Sequence, residues 1–355
     1  MKKITQSRDK KGYAWVKAIS VATVVLALGL MSFSACGAEK DKKTAGSVAT
    51  GHEEQTQEIK SLSRGGRSLT TWTVYWDGGG AVRTLAQNTD RIGSVGAFAA
   101  DYPDGKTLNL PEKSADIIGQ LKTSSTLKKM PVYLSVVNDT EKEEKSVALL
   151  KRLIGTPEQA EATATSIVDM AQDYQCDGVE IDFEKIRKDR ALWARFIDFE
   201  NRLIAQCNAS NLKLRIVLET LTPVENIQLP SGPEYVVMCY NLYGNGTKPG
   251  PKADVKFLKE TAGRFEKLGN VTYALANGGF DFVGSKQAKA VTVDEAAALM
   301  KKYSAKPKRD RASGALVFQY DKHTVWYADA KTLSIWAKAL DQRASRKVPV
   351  ALWRL

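Results

Sequence analysis

The chain of 355 residues is long enough for one large domain, and at 43% apolar and 26% charged residues it excludes a disordered or polytopic membrane protein. Its formal charge of +12 raises the question of a polyanionic partner, but the Lys and Arg residues are scattered, with no basic helix or aromatic-interleaved stripe, so no nucleic-acid partner is expected. Lys2, Lys3, Arg8, Lys10, Lys11 and Lys17 against Asp9 put a net +5 in residues 1–35, leaving +7 for the rest; a basic body suits an anionic wall polymer and suits plain solubility equally well.

Residues 1–35 read as an export signal: a basic start, an uncharged apolar run from Ile19 to Ala35, then small residues before Cys36. The run is marginal for a spanning helix, which needs about 20 residues. Phe33-Ser34-Ala35-Cys36 resembles a bacterial lipobox, with Phe33 where Leu is usual, and implies lipid modification of Cys36 after cleavage. The alternative is an uncleaved single-span anchor. Either reading predicts a body tethered to the extracytoplasmic face of a bacterial membrane. Residues 36–68 are polar, Gly- and Ser-rich and almost free of large apolar side chains, which predicts a disordered tether.

From Leu69 to Leu355, short β-branched or aromatic runs alternate with amphipathic helical patterns. Strands are expected at 70–76, 94–99, 131–137, 178–183, 214–218, 235–240, 271–276 and 348–353. Helices are expected at Pro157–Tyr174, Asp189–Gln206, Val255–Leu268, Val293–Tyr303 and Ala330–Ala344, the first opened by Thr156 as N-cap and Pro157 at the first helical position. Eight strands alternating with helices, with no dinucleotide fingerprint, predict an α/β fold, a (β/α)8 TIM barrel over 69–355. Two β-rich runs, Ala315–Tyr320 and Thr324–Tyr327, flank the polar turn Asp321-Lys322-His323. They predict a small hairpin in an insertion at about 280–327, between strands seven and eight, forming an extra wall at the barrel mouth.

The four cysteines are Cys36, Cys176, Cys207 and Cys239; buried thiols are the simpler reading of the last three, with a Cys176–Cys207 bridge left open. His52 and His323 are the two histidines, one in the tether and one in the hairpin, which argues against a Ser-His-Asp hydrolase or a His-based zinc site. No metal and no cofactor is called for.

The informative stretch is Asp177-Gly178-Val179-Glu180-Ile181-Asp182-Phe183-Glu184. Side chains on a strand alternate faces, so Glu180, Asp182 and Glu184 share one face and Val179, Ile181 and Phe183 the other. In a barrel the apolar face packs on the helices and the acids line the interior. Like charges a few ångström apart in low dielectric cannot all stay ionised, so at least one acid should hold a proton near neutral pH, as a general acid requires. Glu184 lies last, at the C-terminal end where barrel sites open.

Asp177-x-x-Glu180-x-Asp182-x-Glu184 resembles the DxxDxDxE signature of glycoside hydrolase family 18, with Glu180 where Asp or Asn is usual. Met238-Cys239-Tyr240-Asn241 resembles the family's MxYD, with Asn in place of Asp; the 275–282 segment and Leu352-Trp353-Arg354 resemble its seventh and eighth strands. The region from Phe318 to Leu340 resembles the branch of spore-cortex and spore-germination N-acetylglucosaminidases. The resemblance covers roughly residues 70–355. It implies retaining, substrate-assisted cleavage of β-1,4-linked N-acetylglucosamine polymers such as peptidoglycan or chitin, in that order, with N-glycans third. The implied roles are Glu184 as general acid, Asp182 holding the acetamido N–H, Glu180 setting the protonation of Asp182, Tyr240 donating to the acetamido oxygen, and Asn241 as a remaining hydrogen-bonding group. Trp353 would stack on the sugar, with a plug at the barrel end as its other role; Tyr75 and Trp76 line the pocket or pack in the core, with equal claim. A monomer is expected. The competing function is a lectin-like barrel that binds sugar without cleaving it.

Overall fold

The computed structural model describes residues 45–67, 69–77, 79–284 and 287–355. The expected export signal and its Cys36 lie outside these residues. Among those described, eight parallel strands close into a barrel: β1 (Leu69–Val74), β2 (Ile92–Ala100), β3 (Val132–Val137), β4 (Gly178–Asp182), β5 (Lys213–Glu219), β6 (Glu234–Met238), β7 (Val271–Ala276) and β13 (Val350–Trp353). Each coincides with an expected run, because a parallel strand covered on its outer face reads as a short β-branched stretch. Between them run α2 (Gly80–Ala86), α3 (Glu112–Thr123), α4 (Val147–Leu153), α5 (Pro157–Asp173), α6 (Arg190–Ala209), α7 (Val255–Phe265) and α9 (Ala330–Ala344). Thr156 closes a capping box with Gln159 at the start of α5, so the Thr-Pro signal marks a true helix N-terminus.

Two expectations change. Residues 45–62, expected within the disordered tether, form α1 (Ala45–Leu62), whose Ile59 and Leu62 are buried in the main core. This helix packs on α9 and also touches α2, bridging the two helices beside the β13/β1 seam. Hydrogen bonds fasten it: Thr84 Oγ1 donates to Gln55 Oε1 (2.8 Å) and Ser61 Oγ to the Ala330 carbonyl (2.6 Å). With Val48, Ile59 and Leu62 as its only large apolar residues, this segment looks like a tether in composition.

The insertion, expected at about 280–327 around a hairpin, also holds more strands than that hairpin. β8 (Gly278–Val283), β9 (Gln287–Val291), β10 (Lys308–Arg309), β11 (Leu316–Tyr320) and β12 (His323–Ala328) form one antiparallel sheet in the order β10-β11-β12-β8-β9. It is backed by α8 (Val293–Tyr303) over a small core of Val291, Ala296, Phe318, Val325 and Tyr327. β11 and β12 are the expected hairpin; the sequence 278–283 joins them as a central strand.

Cys176, Cys207 and Cys239 are free and buried, so the Cys176–Cys207 bridge is not formed. Burial pushes the Cys176 and Cys207 thiols up to about 12, leaving them inert small hydrophobes.

Candidate active site

β4 carries the acids, and its pleat divides them as its sequence implies. Val179, Ile181 and Phe183 face the helices, where Phe183 stacks on Phe199 of α6 at 5.8 Å. Glu180 is fully buried on the other face. Its Oε1 accepts from Ser135 on β3 (2.6 Å) and from the indole N–H of Trp72 on β1 (2.5 Å), and its Oε2 lies 3.5 Å from Arg215 on β5. A side chain reached from three such strands can only lie in the lumen. Gly96 makes room for this: it pairs with Trp72 in register, and a Cβ there would lie 2.4 Å from the indole. Asp177, first in the motif, stands apart from the lumen; it pairs with Lys122 and accepts the Val132 N–H, tying β3 to β4.

Arg215 is buried beneath Glu180. It stacks at 3.6 Å on Tyr133, donates to Glu234, Thr70 and Ser94, and so brings a fixed positive charge to the lumen. Burial drives the Glu180 carboxyl upward, while Arg215, Ser135 and Trp72 oppose it.

Asp182 lies above, at the strand end. Its Oδ2 sits 3.5 Å from the ammonium of Lys145, and its Oδ1 is buried with no hydrogen-bond partner among the described residues. Burial raises its pKa against the opposing attraction of Lys145. Glu184 follows, its Oε1 3.1 Å from Lys145 and its N–H bonded to Asn138 Oδ1 at 2.9 Å. Burial first, and the neighbouring Asp182 second, push the Glu184 carboxyl up to about 7, so it is an acid that still holds its proton near neutrality.

Aromatic rings complete the mouth. Tyr240, just after β6, is half-buried and packs with Trp353 and Phe98 around Trp72, Met238 and Val217. Burial and the charges of Asp182, Glu184 and Glu180 hold its phenol well above the usual value, so it remains a neutral donor. Trp353 ends β13 half-buried, with edge contacts to Trp72 (5.6 Å) and Phe98 (5.0 Å). Tyr75 and Trp76 are 38% and 48% exposed, which removes the core-packing alternative; Trp76 meets Phe98 edge-on at 6.1 Å and the Arg354 guanidinium lies over it. A chain of rings thus runs outward from Trp72 through Trp353 and Phe98 to Trp76 and Tyr75. Asn241 is exposed at the start of the loop after β6.

Trp72, Phe98, Ser135, Lys145 and Arg215 escaped the sequence reading. Trp72 and Ser135 carried a signal, being inward-phased residues of expected strands; Lys145, in a polar loop, carried none.

No family model matches this chain. A chitinase from Chromobacterium violaceum superposes with a TM-score of 0.68 at 20% identity, over 81% of this chain and 94% of that one. The Bacillus cereus spore cortex-lytic enzyme SleL superposes with a TM-score of 0.66 at 21% identity, over 81% of this chain and 70% of that one. The chain has the fold of chitinases and spore cortex-lytic enzymes. In sequence, it is 24% identical over 209 residues to the Bacillus subtilis "uncharacterized glycosylase YvbX", a match spanning 52% of this chain and 59% of that relative.

Proposed function

We propose that the chain is a family 18 glycoside hydrolase that cleaves β-1,4-linked N-acetylglucosamine polymers by retaining, substrate-assisted catalysis. The observation that carries this is the meeting at the barrel mouth of Glu184, whose carboxyl burial raises to about 7, with Asp182, whose buried Oδ1 has no hydrogen-bond partner among the described residues. A buried acceptor without a donor is costly unless a ligand supplies one, and an acetamido N–H is such a donor. Glu184 gives its proton to the glycosidic oxygen as the C1–O bond breaks. The acetamido oxygen attacks C1, forming an oxazolinium ion whose N–H rests on Asp182 and whose oxygen receives the Tyr240 hydroxyl. Water, deprotonated by the Glu184 carboxylate, then opens the ring, restoring the acid and retaining the anomeric configuration. This departs from the two-carboxylate scheme of most glycosidases. Trp353 offers its exposed face to the reacting sugar, Tyr75 and Trp76 offer further stacking surface, and Asn241 offers a neutral hydrogen bond at the rim.

Peptidoglycan is the favoured substrate, chitin the second, and a lipid on Cys36 would hold the enzyme at the outer face of the membrane. Incubating the full chain with chitotetraose and with purified peptidoglycan glycan strands, followed by mass spectrometry of the products and proton NMR of the freshly formed reducing end, tests the reading. Shortened products with a β-anomeric reducing end support it. Binding without cleavage of either polymer overturns it in favour of the lectin-like alternative.

A further inference from the structure

The mechanism leaves a partly buried cation beside the acid pair without a task. Lys145 lies in the loop between β3 and α4, with its backbone in the left-handed region at φ 56°, where non-glycine residues are uncommon. Asp139 holds it twice, accepting its backbone N–H at 2.7 Å and lying 3.7 Å from its ammonium. The loop is braced around this turn: Ser146 donates its N–H to the Asn138 carbonyl (2.7 Å) and its hydroxyl to Glu143 (2.6 Å), and Lys185 donates to the Glu144 carbonyl (2.9 Å). All of this aims the ammonium at Glu184 and Asp182, 5.7 Å from the ring centre of Phe98. Strained backbone that persists under such bracing is a mark of a functional position.

We propose that Lys145 is a positioning residue for the acid pair: by bridging Asp182 and Glu184 it limits the two carboxylates to one shared proton and keeps one of them ionised while the other acts as acid. This rests on the reading of Glu184 and Asp182 as the working acids. Asp139 faces the ammonium from its own loop, with Asp101 beyond it at the end of β2. Asp182 at the end of β4 and Glu184 just beyond it face it, Glu219 at the end of β5 acts on Glu184, and Tyr240 just after β6 feels the charge of both acids. Lys185 is turned to Glu144, and Arg215 is committed to Glu180 and Glu234, so neither replaces the ammonium. Burial works against the charge on Lys145, but Asp182, Glu184 and Asp139 together outweigh it and hold the ammonium protonated. Without that charge, two buried carboxylates this close would both take up protons near neutrality. A protonated Asp182 could no longer offset the charge of an oxazolinium ion.

The test is a carbon-13 NMR titration of side-chain carboxyls in the full-length chain, as wild type, Lys145→Met and Lys145→Arg, with the signals assigned through Asp182→Asn and Glu184→Gln. In Lys145→Met the Asp182 and Glu184 titrations should move up by roughly 1–3 pH units, the range for loss of an opposite charge at this distance. Lys145→Arg should restore most of that shift, and both limbs of the pH–rate profile on chitotetraose should follow. Unmoved titrations in Lys145→Met, with only a lower melting temperature, would reduce Lys145 to a loop anchor and overturn the proposal. Should Lys145→Met not fold, Lys145→Gln is titrated in its place and judged by the same shift. The two readings separate cleanly. If wild type cleaves neither polymer but the titrations move, the hydrolase reading falls and the bridge stands; if it cleaves and they do not move, the bridge alone falls.

Discussion

Trp72 on β1 donates its indole N–H across the barrel lumen to Glu180 on β4, at 2.5 Å. Ser135 and Arg215 reach the same carboxylate from β3 and β5, the strands on either side of β4. Glu180 is one methylene longer than the Asp its resemblance leads one to expect, and the three partners anchor it low in the lumen. Its carboxylate thereby takes its counter-charge from Arg215, whereas that of Asp182 comes from Lys145.

Trp72→Phe tests this anchoring. Phe keeps the ring that meets Trp353 and removes the donor, leaving a buried carboxylate one bond short. Loss of a buried partner to a charged group costs about 1–3 kcal/mol. Urea denaturation should show a loss in that range, and kcat on chitotetraose should fall with KM little changed, since the indole nitrogen faces Glu180 and not the mouth. An unchanged midpoint and rate would show that the cross-lumen bond carries no weight.

Glu184→Gln is the sharpest probe of the chemistry. Glutamine preserves shape and hydrogen bonding but has no proton to give to a leaving oxygen, and a positioned general acid contributes roughly 10²–10⁴-fold. Turnover should drop by at least the lower figure, while chitotetraose binding by calorimetry persists. In the wild type, the carboxyl raised to about 7 is protonated below that value, so activity should decline as pH rises through about 7. A rate still climbing at pH 8 would remove Glu184 from the role of acid.

The sequence made the barrel legible because covered parallel strands and capped helices leave strong local patterns, and β4 legible because three acids opposite Val179, Ile181 and Phe183 have no comfortable place except a lumen. Lys145 was illegible for the opposite reason. In the run from Asn138 to Ser146 it is one of several charged residues, and only the left-handed turn at its own backbone sends its ammonium inward. The contacts of Trp72 with Glu180 and of Arg215 with Tyr133 span strands far apart in sequence, where no periodicity reports them. Of the five strands in the insertion, β11 and β12 leave a clear pattern, whereas β8 opens on two glycines, β9 (Gln-Ala-Lys-Ala-Val) is largely exposed and β10 is two residues long.

The helix α1 makes the boundary of the folded body a measurable quantity. Ile59 and Leu62 are fully buried, and burying such a side chain contributes about 1.5–3 kcal/mol, so a chain starting at residue 63 should lose roughly 3–6 kcal/mol relative to one starting at residue 45. Glu58, beside them, is buried against Asn277, which donates to it at 2.6 Å, and near Lys252; burial pushes its carboxyl up to about 8 despite that bond. A carboxyl raised in the folded state binds its proton more tightly there than in the unfolded chain, so its contribution is fully present below about pH 4.5 and is lost as pH rises through about 8. Lys252, depressed by burial to about 8, adds the opposite slope only above that value; between pH 5 and 8 Glu58 shares the slope with Glu184 and Glu200, whose carboxyls burial also raises, and only its substitution separates its share. Melting temperatures of the residue-45 form should fall across that window, and Glu58→Gln, which has no proton to lose, should make the fall shallower by the share of one group. Equal melting temperatures for the two truncations would show that α1 contributes nothing to the barrel, and a slope unchanged in Glu58→Gln would place the titrating group elsewhere.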